Sequence, residues 1–272
     1  MAKEILIDDQ GKTRVEIEVP KPDALPSVLT FAYHKSGSVM FDDILQTLAA
    51  EGGRAYVNLE KQLFEQGHRV DQFQRTMLPF LSKSGFVFGA FRDYIDCLRP
   101  AAECQRKRVF LIRDPRDAVV SSYYSLRKSH WVPPNGDARE SLLAARERYS
   151  QLGLEEAILR NDFEFLFKNM LRFGTMLRDY PGVVYRYEEI IFRKAEWIHA
   201  LASELELPLK SDVLNALLRK HDVFPSEDNE TAHVRHVSPG DYLNKLSPGV
   251  IEHIEHRYKD LFEILGYPLT AS

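Results

Sequence analysis

Cysteine is scarce in this chain: two occur in 272 residues, Cys97 and Cys104. Their spacing suits neither a CxxC redox pair nor a zinc knuckle, which leaves reduced packing thiols as the expectation. Long apolar runs are missing too. No uninterrupted stretch approaches the ~20 residues that span a bilayer. The opening segment, Met1 to Gln10, is too short and too acidic at Asp8-Asp9 for a signal peptide. There is no excess of basic residues. A net charge of −4 gives no overall field for nucleic acid or an anionic membrane. Any anion site must therefore be a local cluster of cations. Internal repeats and low-complexity segments are absent as well. These exclusions leave a cytoplasmic, enzyme-sized protein.

What is present fits that description. Hydrophobic residues make up 44% and charged residues 28%, enough for one large α/β domain or two small ones. Short β-prone runs at Glu4–Ile7 and Thr13–Val19 flank a turn, Asp8-Asp9-Gln10-Gly11-Lys12, and predict a hairpin. Pro20, Pro22 and Pro26 stiffen the connection that follows. Apolar strands are expected at Ser27–Tyr33, Phe86–Phe91, Arg108–Ile112 and Val183–Tyr187. Helical spacing predicts helices at Asn58–Gln66, Arg139–Gln151, Glu155–Arg178, Glu188–Leu205 and Asp212–Lys220, the last capped by Ser211. Val70–Ser84 reads as a helix broken at Pro79. A final helix from Pro248 buries Ile251, Ile254, Tyr258, Leu261 and Leu265, ends at Gly266, and turns His253 and His256 to solvent. Phe224–Ser247 lacks periodicity and reads as a long loop. Strands alternating with helices argue for a parallel sheet with helices on both faces. The expected division is residues 1–26 as hairpin and linker, and 27–272 as the main domain.

Two strand-to-helix turns carry the chemistry. In the first, the strand ending at Tyr33 runs into His34-Lys35-Ser36-Gly37-Ser38. A helix follows, with Phe41, Ile44, Leu45, Leu48 and Ala49 on one face and Gly52-Gly53 as its stop. A lysine, hydroxyls, a glycine and a helix N-terminus together suit a bound phosphate or sulfate. In the second, Arg113-Asp114-Pro115-Arg116-Asp117 ends one strand and opens a helix, with Ser121 two turns on. The alternative use of Arg113 is an ion pair with Asp114 or Asp117. Both turns lie at strand carboxyl ends, where open α/β sheets bind ligands. The Tyr123-Tyr124 pair reads as core packing.

These stretches resemble the sulfotransferases that use 3′-phosphoadenosine-5′-phosphosulfate (PAPS). FAYHKSGSVM is similar to their 5′-phosphosulfate loop, and RVFLIRDPRDAVVSSYYS to their 3′-phosphate motif. RHVSPGDYLNKL, from Arg235, is similar to the segment that folds over the cofactor. VYRYEE resembles the strand with a tyrosine near the adenine. The resemblance spans about Ser27 to Gly266 and implies a P-loop-like α/β fold. It also implies a transferase moving a sulfuryl group from PAPS to a hydroxyl or amine of a small-molecule acceptor, leaving the bisphosphate PAP. By the same resemblance, Lys35, Ser36, Gly37, Ser38 and Val39 hold the 5′-phosphosulfate, and Lys35 stabilises the leaving phosphate. Arg113 and Ser121, with Arg235 and His236, bind the 3′-phosphate, and Tyr187 lies by the adenine. No metal, nucleic acid or membrane span is expected, and a homodimer is allowed.

The chain also departs from the family pattern. His34 stands where many members carry proline, Met40 where many carry an adenine-stacking tryptophan, and Tyr242 where a tryptophan is usual. Many members place a general-base histidine just after the strand here read as Phe86–Phe91. This chain has Phe91-Arg92-Asp93-Tyr94 instead. Asp93, His34 and His130 are therefore the candidate proton acceptors, with Arg92 as a neighbour able to neutralise Asp93. A P-loop kinase is the rival reading, as is a nucleotide-binding module without catalysis. A kinase loop needs glycines ahead of its lysine, and here Lys35 precedes the only glycine of the loop.

Overall fold

The computed structural model describes residues 2–105, 107–222 and 237–270. Strands β1 (Ala2–Ile7) and β2 (Arg14–Val19) pair antiparallel, forming the expected hairpin. Alternation along β2 turns Val15, Ile17 and Val19 inward. Together with Leu6 they join the same core as Phe73 and Met77.

Five further strands form a parallel sheet among the described residues: β3 (Val28–Ala32), β4 (Ala55–Val57), β5 (Phe86–Phe91), β6 (Lys107–Ile112) and β7 (Val183–Arg186). Their order is β4-β5-β3-β6-β7. β3 and β5 are buried at every position, as strands covered on both faces must be. Phe31, Phe88 and Phe110 enter one core with Phe173 of the helix Glu164–Asp179. Val28, Ala32, Val87, Val109 and Leu111 enter a second core. There they meet Ile44 and Leu48 of the helix Ser38–Glu51 and Trp197 and Leu201 of the helix Lys194–Glu204. Because β3 lies between β5 and β6, the order runs outward from it in both directions. The ligand crevice of such a sheet opens at the carboxyl ends of these central strands.

Several element boundaries differ from the sequence expectation, each for a local reason. β4 is only three residues long, too short to show alternation. The run read as Glu155–Arg178 is two helices, Leu154–Leu159 and Glu164–Asp179, separated where Asn161 adopts φ 60°. Asparagine tolerates that left-handed conformation, and periodicity does not register it. Glu188–Leu205 likewise divides into Tyr187–Ile190 and Lys194–Glu204, so Tyr187 opens a helix instead of ending a strand. Ser211 is the first helical residue and Lys210 the cap. Pro79 lies inside the helix Gln74–Leu81, and a helix not foreseen covers Leu98–Cys104. The last helix breaks at Tyr258 into Pro248–Arg257 and Lys259–Leu265, and Gly266 ends it at φ 68°. His253 is half-buried with a buried Nε2, contrary to the expected solvent-facing position. Much of the expected loop Phe224–Ser247 lies outside the described residues. Its later part contains the short helix Tyr242–Lys245.

Candidate active site

The loop after β3 is shaped by two residues with positive φ, Lys35 (66°) and Gly37 (90°). Gly37 caps the helix Ser38–Glu51 in the left-handed conformation. A Cβ there would lie 3.4 Å from both the Tyr187 ring and the Met40 methyl. The dihedral favours glycine there, whereas the approach itself is an ordinary van der Waals distance. The first-turn N–H groups of this 14-residue helix have no intrahelical carbonyls to meet. Ser36 is fully buried and its hydroxyl donates to the Tyr33 carbonyl at 2.6 Å, which pins the turn to the strand end. Ser38 and Val39 form the outer lip, and Val39 is 52% exposed.

The second turn lies beside the first because β6 pairs with β3. Arg113 is 5% exposed and donates from Nη1 to the Lys35 carbonyl at 2.9 Å. Its guanidinium lies 4.2 Å from the centre of the Tyr187 ring, and its buried Nε has no hydrogen-bond partner. The two acidic neighbours have other commitments. Asp114 binds Arg116 at 2.6 Å, and Arg116 also meets Glu255. Asp117 lies 3.7 Å from Arg113 but accepts from the backbone N–H groups of Gly240 (2.8 Å) and Tyr242 (3.1 Å). Tyr187 donates its hydroxyl to the Val237 carbonyl at 3.0 Å. Burial pushes this phenol up, with Arg113 opposing. Arg235 and His236 lie outside the described residues.

A cleft of about 340 Å³ is lined by Lys35, Gly37, Ser38, Arg113, Ser121 and Tyr187, so it gathers residues of both turns. Lys220 and His221, from the end of the helix Ser211–His221, also line it, as does Tyr124. Tyr123 is buried as expected, donating to the Leu152 carbonyl at 2.7 Å, whereas its neighbour Tyr124 faces the cleft. A second cavity of about 620 Å³ adjoins the first, with Phe64, Tyr94, Ile95, Leu126, Leu142 and Phe165 among its walls. Five residues line both: His34, Lys35, Arg92, Ser125 and His130.

That common wall holds all three candidate proton acceptors or their partners. His34 Nε2 lies 2.7 Å from Asp93 Oδ1. Arg92 does not pair with Asp93; its Nε donates to Glu60 at 2.7 Å. Glu60 is 4% exposed and also accepts from the backbone N–H groups of Arg92 (2.8 Å) and Asp93 (3.2 Å). Asn169 closes the other side, accepting from Tyr94 N and donating to the Arg92 carbonyl, both at 2.6 Å. Burial pushes the Glu60 carboxyl up against the pull of Arg92. Desolvation acts the same way on Asp93, yet His34, Arg92 and Arg69 hold it below the ordinary range. His130 follows a π-helical turn, Ser125–Ser129, whose widened backbone is common at functional sites. Its Nδ1 lies 3.4 Å from the Ser125 hydroxyl, and its ring is edge-on to Phe64.

Glu60, Asn169, Ser125, Lys220 and His221 carry no sequence signal of their own. Each stands alone in its helix or turn, and only the fold brings it to the cavities. Among the described residues no cluster of three or more metal-ligating side chains occurs, and no helix is long and apolar enough to cross a membrane.

The chain matches the family model of the sulfotransferase domain over residues 25–266 and belongs to that family. It is accordingly a transferase, and the kinase reading is not favoured. No curated protein sequence matches it. Among solved structures, a mouse sulfotransferase complexed with PAP is similar over 87% of this chain and 84% of that one, at 14% identity and a TM-score of 0.55. A retinol dehydratase in complex with androsterone and inactive cofactor PAP aligns over 87% of this chain and 80% of its own, at 15% identity and a TM-score of 0.44. The same named enzyme with retinol and PAP aligns over 89% and 82%, at 15% identity and 0.43. The first of these supports the shared α/β fold.

Proposed function

We propose that this sulfotransferase uses PAPS as its donor and a small molecule bearing a hydroxyl or amine as its acceptor. One observation carries the reading: a nucleotide-sized cleft and a larger cavity meet at Lys35, the lysine of the first turn. The residues present suit the donor. The orphaned, buried Nε of Arg113 needs an acceptor, and the bare Cα of Gly37 leaves room beside the Tyr187 ring. When bound, PAPS supplies an activated sulfuryl group on a phosphate leaving group.

In this reading the backbone N–H groups of Gly37, Ser38 and Val39 hold the 5′ end. Lys35 neutralises charge there as the bond to sulfur breaks. Ser36 contributes through its place in the turn, since its hydroxyl proton goes to Tyr33. Arg113 and Ser121 receive the 3′-phosphate, with Arg235 and His236 as further partners, and Tyr187 flanks the base. His34, Asp93 and His130 face the acceptor side. Fixed cations and N–H donors supply most of the stabilisation in such an in-line displacement, because little covalent help is needed.

The same reading places the enzyme in the cytoplasm, where Cys97 and Cys104, both free, stay reduced. It keeps residues 1–26 as hairpin and linker to a transferase unit of 27–272, and it allows a homodimer and has no nucleic-acid partner. Sedimentation velocity tests the dimer. Isothermal calorimetry with PAP tests the donor, with micromolar or tighter binding expected and no binding refuting it. A screen of phenols, alcohols and amines with radiolabelled PAPS then tests transfer.

A further inference from the structure

We propose that His34 and Asp93 act as a dyad in which His34 is the proton acceptor and Asp93 its positioning residue. The inference rests on the sulfuryl-transfer reading and assigns roles within that same site. His34 lies on the common wall of cleft and cavity, directly before Lys35 in the chain. The acceptor oxygen must stand near the same wall to reach sulfur held at Lys35.

The 2.7 Å contact between His34 Nε2 and Asp93 fixes the chemistry. An ionised carboxylate only accepts hydrogen bonds, so Nε2 must carry the proton and donate it. The lone pair of a neutral imidazole is then on Nδ1, the nitrogen available to the acceptor. The adjoining groups keep Asp93 ionised. His34, Arg92 and Arg69 all favour its charged form, and Glu60 holds its backbone N–H from the helix Leu59–Glu65. The charged and titratable groups facing His34 are thus Asp93, Arg92 and Glu60. Lys35 and His130 line the same two cavities as His34, and Arg69 lines the larger one.

The step balances simply. The acceptor oxygen forms a bond to sulfur as the bond from sulfur to the bridging phosphate oxygen breaks. The electron pair of that bond leaves with the phosphate, and the acceptor's proton passes to His34 Nδ1. Asp93 stabilises the imidazolium so formed and does not itself take the proton. A histidine from the loop before Lys35 thereby meets a carboxylate from the loop after β5, where the family resemblance leads one to expect the histidine itself.

The experiment uses the full chain with PAP bound. Long-range nitrogen–proton NMR should show His34 as the Nε2–H tautomer, and Asp93→Asn should abolish that preference. An Nδ1–H tautomer in the wild type overturns the proposal. Kinetics follow sulfuryl transfer from PAPS to 4-nitrophenol, or to water if the phenol is refused. His34→Gln, which keeps a donor toward Asp93, should lower kcat by about 100-fold to 10,000-fold and remove the acidic limb of the pH–rate profile. Asp93→Asn should lower kcat by about 10-fold to 100-fold, with partial rescue by Asp93→Glu. An acidic limb that survives His34→Gln, or disappears only in His130→Gln, refutes the assignment. Calorimetry with PAP separates the levels: absent binding in the wild type removes the donor reading, whereas intact binding in each variant isolates the dyad.

Discussion

Nη1 of Arg113 donates to the carbonyl oxygen of Lys35 across 2.9 Å. The arginine of one turn therefore holds the backbone of the other. In the proposed donor site, affinity for PAP and placement of the lysine are coupled through that single side chain.

Substituting Arg113 should show both consequences. Arg113→Ala is expected to weaken PAP binding by about 10-fold to 100-fold, consistent with losing one charged hydrogen-bond donor worth roughly 1.5–3 kcal/mol. It should also lower kcat at saturating PAPS, because the Lys35 turn loses its anchor. Arg113→Lys should recover part of the affinity but little of kcat, since a lysine has no planar fork to serve two partners. Calorimetry and steady-state kinetics read the two effects separately.

Gly37→Ala places a methyl group where φ is 90° and the Tyr187 ring is 3.4 Å away. The dihedral alone costs roughly 1–2 kcal/mol. PAP affinity is expected to fall by at least about tenfold as the loop or Tyr187 shifts, with the circular dichroism spectrum unchanged. Unaltered affinity would show that the helix N-terminus is not part of the donor site.

Glu60 holds the loop after β5 through Arg92 Nε and two backbone N–H groups. Glu60→Ala should lower unfolding free energy by about 2–3 kcal/mol. That is below the 3–5 kcal/mol of a fully buried pair, because the Arg92 side chain is 23% exposed and water screens it. Urea denaturation measures this, and a loss under about 1 kcal/mol contradicts the bracing role.

Asp43, on the helix Ser38–Glu51, binds Lys220 Nζ at 2.6 Å and His221 Nε2 at 2.7 Å. Partial burial pushes its carboxyl up, but these two partners hold it below the ordinary 3.8. A carboxylate depressed in the folded state contributes stability that is complete above 3.8 and lost as pH falls through the folded value. Asp43→Asn should therefore be less stable than wild type at neutral pH, with the gap closing below about pH 4. Urea denaturation at neutral pH and at about pH 3 checks the sign.

The two turns proposed for the donor were legible in the sequence, because anion binding needs residues close together in the chain: a strand end, a cation, a glycine and a helix start. Lys35 and Arg113 could thus be picked out before the fold was known, and so could the alternation of strands and helices. The His34–Asp93 contact could not, since it joins residues 59 apart. Only the placing of β5 directly beside β3 brings their following loops together. Asn161 hid the break before the helix Glu164–Asp179 for a different reason, as one left-handed residue leaves the hydrophobic spacing on either side intact. Glu60 was invisible because a buried carboxylate in a short helix looks like any surface glutamate until its partners are placed.

The five residues common to both cavities have an evolutionary consequence. In the proposed function, donor cleft and acceptor cavity touch only through His34, Lys35, Arg92, Ser125 and His130 among the described residues. Changes at Leu142, Phe165 or Ile95 reshape the acceptor side without entering the nucleotide side. Such a partition lets a lineage exchange one acceptor for another while inheriting its donor chemistry unchanged.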